Sequence, residues 1–252
     1  HHLLRIKFPL FQHQENIDCY FASNTDLSFL PKYWAYFNYG VLVTIMISVS
    51  VVFFGTLIGV LVTLIKRSQV KPLTWIANLY VWVFRGTPMV VQIMIAFAWM
   101  HFNDMPTISF GVLDLDFSRL LPGIIIISLN SGAYISEIVR AGIEAVPKGQ
   151  LEAAYSLGIR PRNAMRYVIL PQAFKNILPA LGNEFITIIK DSALLQTIGV
   201  MELWNGAQSV VTATYSPISP LLVAAFYYLM VTTVMSQLLS VLERRMAQGG
   251  NH

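Results

Sequence analysis

Between Val41 and Ile65 the chain runs for 25 residues without a charged side chain. About 20 apolar residues in a helix, rising ~1.5 Å each, cross the hydrocarbon core of a bilayer. A run this long has no place in a water-soluble core, so crossing a membrane is the first constraint on the fold. Composition agrees. Charged residues make up 12% of the chain and hydrophobic ones 55%, whereas soluble domains carry about 25% charge. The expected fold class is all-α, a polytopic membrane protein.

Breakers and apolar runs predict five transmembrane helices. The first covers about Tyr39 to Ile65, with Gly55 and Gly59 as a small-xxx-small pair. Such a pair admits close approach of a helix from the same subunit or from a second one. Pro72 to Phe84 is short for a span, and Arg85, Gly86, Thr87 and Pro88 separate it from the uncharged stretch Met89 to Met100. That pattern fits a re-entrant or interfacial piece followed by the second span, or one long bent helix. The third span covers about Leu120 to Val139 and the fourth Gln172 to Ile189. The fifth, Leu221 to Leu242, follows Pro217 and Pro220.

Charge then sets orientation. Lys66, Arg67, Lys71, Arg140, Lys148, Arg160, Arg162, Arg166, Lys175, Arg244 and Arg245 fall on one side of the five spans. The opposite loops hold Arg119 and Lys190 among Asp104, Asp114, Asp116, Asp191 and Glu202. The positive-inside rule places the N-terminus outside and the C-terminus in the cytoplasm. The chain divides into an extracytoplasmic segment over residues 1–38, a transmembrane domain over 39–245 with a cytoplasmic loop at 141–171, and a tail over 246–252. The net charge of +4 is spent on topology, and no continuous basic face is left for a nucleic acid. Cys19 is the only cysteine, which excludes an intrachain disulfide and a cysteine metal site. His1, His2, His13, His101 and His252 show no paired spacing, so no metal site is expected. The first 32 residues, charged and proline-containing throughout, do not resemble a cleavable signal peptide.

The 141–171 loop carries a short helix by local physics. Gln150 to Leu157 are mostly good helix formers, Gly158 suits the C′ stop, and Pro161 delays resumption. Small Ala153 and Ala154 allow close contact with a partner, or the helix lies on the membrane surface. Glu152, Ala153, Ala154, Gly158, Val168, Leu170 and Pro171, at that spacing, resemble the EAA loop of ABC-importer permeases, with Val168 where Ile is usual. Phe84 to Pro88 with Val91 and Gln92, Glu137 to Ile143, and Pro179 to Phe185 resemble the polar amino-acid uptake branch of that family, the histidine and glutamine type.

The resemblance implies a type I ABC-importer fold and a multi-pass subunit of the bacterial plasma membrane, with no catalytic residues of its own. It makes the 148–160 segment the coupling helix, with Glu152, Ala153 and Ala154 as contact positions and Gly158 as the turn. It also implies two cytoplasmic ABC ATPase subunits, a second permease subunit, the same or paralogous, and an extracytoplasmic amino-acid-binding protein, separate or fused. The chain contains no Gly-Lys dipeptide and so no G-x-x-x-x-G-K-[ST] loop. No cofactor is expected here, and ATP and Mg belong to the partner ATPase.

For the substrate, Glu184 stands out. Twelve residues into the fourth span it lies ~18 Å deep, and an ionisable group there points to function. The alternative is a buried ion pair with Arg85 or Arg140. Asn130 and Ser131 interrupt the third span and can bind substrate or bridge helices. Thr44 and Ser48 on the first span are further candidates. Arg85, Glu137 and Arg140 are expected as an ionic cluster or gate. Competing functions are an ABC importer of another small polar solute and a secondary transporter driven by an ion gradient. The latter favours paired intramembrane carboxylates and an internal repeat, and neither is evident.

Overall fold

The computed structural model describes residues 26–100, 102 and 105–248. The expectations for Cys19, for residues 1–25 and for His101 lie outside the described residues. The elements, in order, are α1 (Leu30–Arg67), α2 (Lys71–Gly86), α3 (Met89–Trp99), β1 (Thr107–Phe110), β2 (Leu113–Asp116), α4 (Phe117–Glu144), α5 (Lys148–Ser156), α6 (Pro161–Ala164), α7 (Leu170–Asp191), α8 (Leu203–Thr214) and α9 (Ser219–Gln248). A π turn over Met165–Ile169 joins α6 to α7, and a 3-10 turn over Ser192–Ile198 follows α7.

Among the described residues three helices, α1, α4 and α9, are long and apolar enough to cross a membrane, and α2 with α3 pass as a pair bent by 111°. The bend falls at the separation over residues 85–88 expected from the sequence. Pro88 has no N–H to offer the preceding turn and forces Thr87 out of the helical region, to φ −120° and ψ 147°. The stretch expected as the fourth span, Gln172 to Ile189, falls within α7, whose 22 residues reach about 33 Å. It carries Lys175, Glu184, Lys190 and Asp191 and falls short of the apolarity of the other three.

α1 and α4 form the spine. A Cβ on Gly59 would sit 2.7 Å from Cγ2 of Ile135, and one on Gly55 3.1 Å from Oγ of Ser131. The small-residue pair therefore serves packing within this chain. One turn further along, Thr63 donates its hydroxyl to Gly59 O and Ser136 O at 2.8 and 3.0 Å, pinning the same interface.

Four boundaries differ from the sequence expectation. α1 begins at Leu30, inside the 1–38 segment, because Pro31 starts a helix well and Phe37 buries itself against Leu203, Ala207 and Val210. α9 runs to Gln248, into the expected tail. The loop read between the fourth and fifth spans contains α8, a 12-residue helix. The loop before α4 contains the antiparallel pair β1–β2, turned over Gly111 and Val112 with Phe110 opposite Leu113, so the fold is helical with one small hairpin. Gly111 has φ 61°, the left-handed conformation such turns require. At the hairpin's end Asp116 caps α4 by accepting from Ser118 N at 2.9 Å. The Ser118 hydroxyl and the Arg119 side chain hold this carboxyl below the usual range.

A candidate substrate cavity at a helix break

The bend between α2 and α3 leaves carbonyls with no helical partner, and in a membrane each must find a donor. Gln92 supplies it. Its Nε2 donates to Phe84 O at 2.9 Å and to Thr87 Oγ1 at 2.7 Å. Asn130 on α4 reinforces the arrangement, donating from Nδ2 to Phe84 O at 3.1 Å and to Gln92 Oε1 at 2.9 Å. Tyr80 adds a hydroxyl bond to Leu129 O. The broken helix is thus held open against α4 by side-chain amides.

Beside this break lies a cavity of about 380 Å³, walled by α4, α7 and the start of α3. Glu184, Asn130 and Ser131, expected as substrate residues, all line it. Ser131 donates its hydroxyl to Glu184 Oε1 at 3.1 Å. Among the described residues no cation lies within 4.0 Å of Glu184, so the ion pair with Arg85 or Arg140 does not form. Asp191, assigned from sequence to an outer loop, ends α7 and lines the same cavity. Thr87, Pro88 and Met89 bring the N-terminus of α3 into the wall. The first N–H groups of a helix lack intrahelical partners and carry partial positive charge. Carboxylates and a helix N-terminus therefore share one chamber, which gives complementary partners to the two ends of a zwitterion.

Thr44 and Ser48 lie elsewhere. Thr44 Oγ1 accepts from Leu203 N at 3.3 Å and Ser48 donates to Thr44 O at 2.7 Å. Both are buried, and neither lines the cavity. Thr44 lies beside Glu202, which the sequence reading placed on an outer loop. Glu202 is fully buried and caps α8, accepting from Trp204 N at 2.9 Å, Asn205 N at 2.8 Å and the Tyr228 hydroxyl at 2.9 Å. It ties α8 to α9 as Thr44 ties α8 to α1.

Toward the C-terminal end of α4 the expected ionic cluster forms. Glu137 accepts from Arg140 at 2.9 Å and from Lys66 at 2.7 Å, and Arg85 approaches to 4.0 Å. Arg140 also binds Glu144 at 2.6 Å. Lys66 was missing from the expectation, because only the α1–α4 packing brings its helix end to Glu137. Arg85 also sits over the ring of Tyr134, 5.2 Å from its centroid, and Tyr134 lines the cavity. Tyr134, Arg85 and Glu137 thus make a continuous line of contacts from the cavity wall to the ionic cluster.

The short helix α5 ends as expected. Gly158 takes φ 76° directly after the cap residue Leu157. Glu152 and Ala153 face outward, with Tyr155 and Leu157 exposed beside them. Ala154 does not share that face. It is buried, and α5 rests by this side on the rest of the chain.

Residues 52–248 match the family described as binding-protein-dependent transport system inner membrane component. The chain belongs to this family and is a membrane permease subunit. It is 39% identical over 220 residues to the putative glutamine transport system permease protein of Rickettsia conorii, covering 87% of this chain and 96% of that protein. It is 38% identical over 207 residues to the arginine transport system permease protein of Bacillus subtilis, covering 82% and 90%. A crystal structure of an amino acid ABC transporter with histidines superposes with a TM-score of 0.79 at 40% identity, covering 87% of this chain and 98% of that one.

Proposed function

We propose that this chain forms the translocation pathway of an ATP-driven importer of polar amino acids in a bacterial plasma membrane. The carrying observation is the 380 Å³ cavity that faces Glu184 and Asp191 with the N-terminus of α3. Glu184, held by the Ser131 hydroxyl, meets the α-ammonium, and the α3 N–H groups meet the α-carboxylate. Half-helix N-termini serve this way at transporter midplanes. With Asp191 as a second acid, the chamber favours a cationic side chain.

In this reading five spans place the N-terminus outside, and α5 lies in the cytoplasm. Its outward face, with Glu152, Ala153 and Tyr155, docks on one of two partner ATPase subunits, which bind ATP and Mg. A binding protein delivers substrate from outside. A second permease subunit is supported by α9, where Thr233, Ser236, Gln237 and Ser240, with Lys190 and Arg244, line a groove of about 640 Å³. Polar groups at membrane depth are costly against lipid, and a second subunit with the pathway between them covers these.

Uptake of single labelled amino acids into proteoliposomes tests the reading. Wild type takes up one or a few polar amino acids, and Glu184→Gln at the same protein level takes them up only at higher concentration. Equal uptake by the variant removes Glu184 from the site.

A further inference from the structure

A second cavity, of about 740 Å³, lies between the C-terminal ends of α1 and α4, α5, and the π turn. Its size is within the range of small-molecule sites. Four cations line it, Lys66, Arg67, Arg140 and Lys148, against one acid, Glu144. Lys66 and Arg140 are already engaged by Glu137 and Glu144. Arg67 and Lys148 make no ion pair among the described residues and stand exposed. They are two uncommitted cations at the mouth of one groove, on different elements. Deeper in, the wall is apolar, made by Ile143, Val146, Leu151 and Ile169.

This combination is amphiphilic. A free inorganic anion would use the cations and leave the apolar wall wet, whereas a lipid uses both. The groove also lies where α1 and α4, both long enough to cross a membrane, come to an end, which is headgroup level in the orientation given under Proposed function. We propose that it binds an anionic phospholipid, with the phosphate between Arg67 and Lys148 and the upper acyl chain along Ile143 and Leu151. The assignment to the cytoplasmic leaflet rests on the orientation given under Proposed function. Because α5 forms one wall, an occupied groove props the ATPase-facing helix against the membrane helices, so the coupling geometry depends on lipid charge.

The test uses the assembled transporter, purified in mild detergent after reconstitution with equal phosphatidylglycerol and phosphatidylcholine, with retained lipid counted by native mass spectrometry. The expected result is selective retention of about one phosphatidylglycerol per permease chain. Retention should fall in Arg67→Gln/Lys148→Gln by about 25-fold in affinity, taking roughly fivefold per cation at a membrane surface, and further still in Arg67→Glu/Lys148→Glu. Both side chains are exposed, so folding is not at stake, and ATPase subunits should co-purify in all variants. Equal retention of both lipids by wild type, or unchanged phosphatidylglycerol in the doubly reversed variant, overturns the proposal. Displacement of the lipid by millimolar inorganic phosphate assigns the groove to a free anion, and loss of the ATPase subunits from the variants assigns it to that partner. Either contradicts a lipid site. Lipid counting needs no transported amino acid, so it stands or falls separately from the substrate reading.

Discussion

Ser131 on α4 donates a hydrogen bond to Glu184 on α7 at 3.1 Å, and the bond crosses the wall of the cavity beside the helix break. It fixes the carboxylate in the chamber and leaves its second oxygen for a substrate. Glu184→Gln should raise the half-saturating amino-acid concentration on the order of 10- to 100-fold, the range for a lost charged hydrogen bond. Ser131→Ala should cost less than tenfold, because the carboxylate remains. Uptake assays on both variants check the order, and a larger effect from Ser131→Ala would reverse the roles.

Gln92 holds the broken helix through donors, and the two bonds to Phe84 O and Thr87 Oγ1 both leave its amide nitrogen. Gln92→Leu should lower stability by about 1–3 kcal/mol, the cost of taking the Gln92 donor from Thr87 O and the acceptor from the Asn130 amide, while Phe84 O keeps Asn130. Gln92→Glu should be as damaging, since a carboxylate accepts but does not donate. Thermal unfolding in detergent measures both, and a wild-type midpoint for Gln92→Glu would show that shape rather than donation matters.

The two acids bound by Arg140 differ in setting. The Glu137 side chain is 19% exposed and also holds Lys66, whereas that of Glu144 is 62% exposed. Glu137→Gln should cost about 1.5–3 kcal/mol, while Glu144→Gln should stay within about 1 kcal/mol. If the cluster plugs the chamber, Glu137→Gln should also raise ATP hydrolysis in the absence of substrate.

Gly158 has open space around it and φ 76°, so backbone conformation alone restricts the residue there. Gly158→Asn should retain transport, since Asn tolerates this conformation. Gly158→Val should lose stability by about 1 kcal/mol or more and uncouple hydrolysis from uptake, because the exit of α5 would be redirected. Similar coupling ratios for the two variants would remove the turn from the mechanism.

Much of this was legible in the residues themselves. The uncharged run in α1, the polar interruption at Asn130 and Ser131, and the depth of Glu184 follow from elementary helix geometry, and Gly158 announced the end of α5. Some signals were present but unread. Leu203, Gly206, Ala207 and Val210 have the helical spacing of α8, and Ile108, Phe110, Leu113 and Leu115 alternate as a hairpin does. Other features depend on packing and leave no local mark. Glu202 looks like a surface acid until α8 is placed between α1 and α9, and its capping role is rarely taken by Glu. Asp191 joins the cavity only because α7 extends past Ile189. Gln92 needed knowledge of where the helix breaks, and Lys66 needed the α1–α4 crossing.

The central claim, a polar amino-acid pathway coupled through α5 to a separate ATPase, is tested most directly by ATPase activity in liposomes. The chain is co-purified with its ATPase and binding protein, and single amino acids are added. Hydrolysis should rise with one or a few polar amino acids, strongest for cationic ones, and the rise should vanish in Glu152→Lys. Absence of any co-purifying ATPase, with uptake instead following an imposed ion gradient, would contradict it.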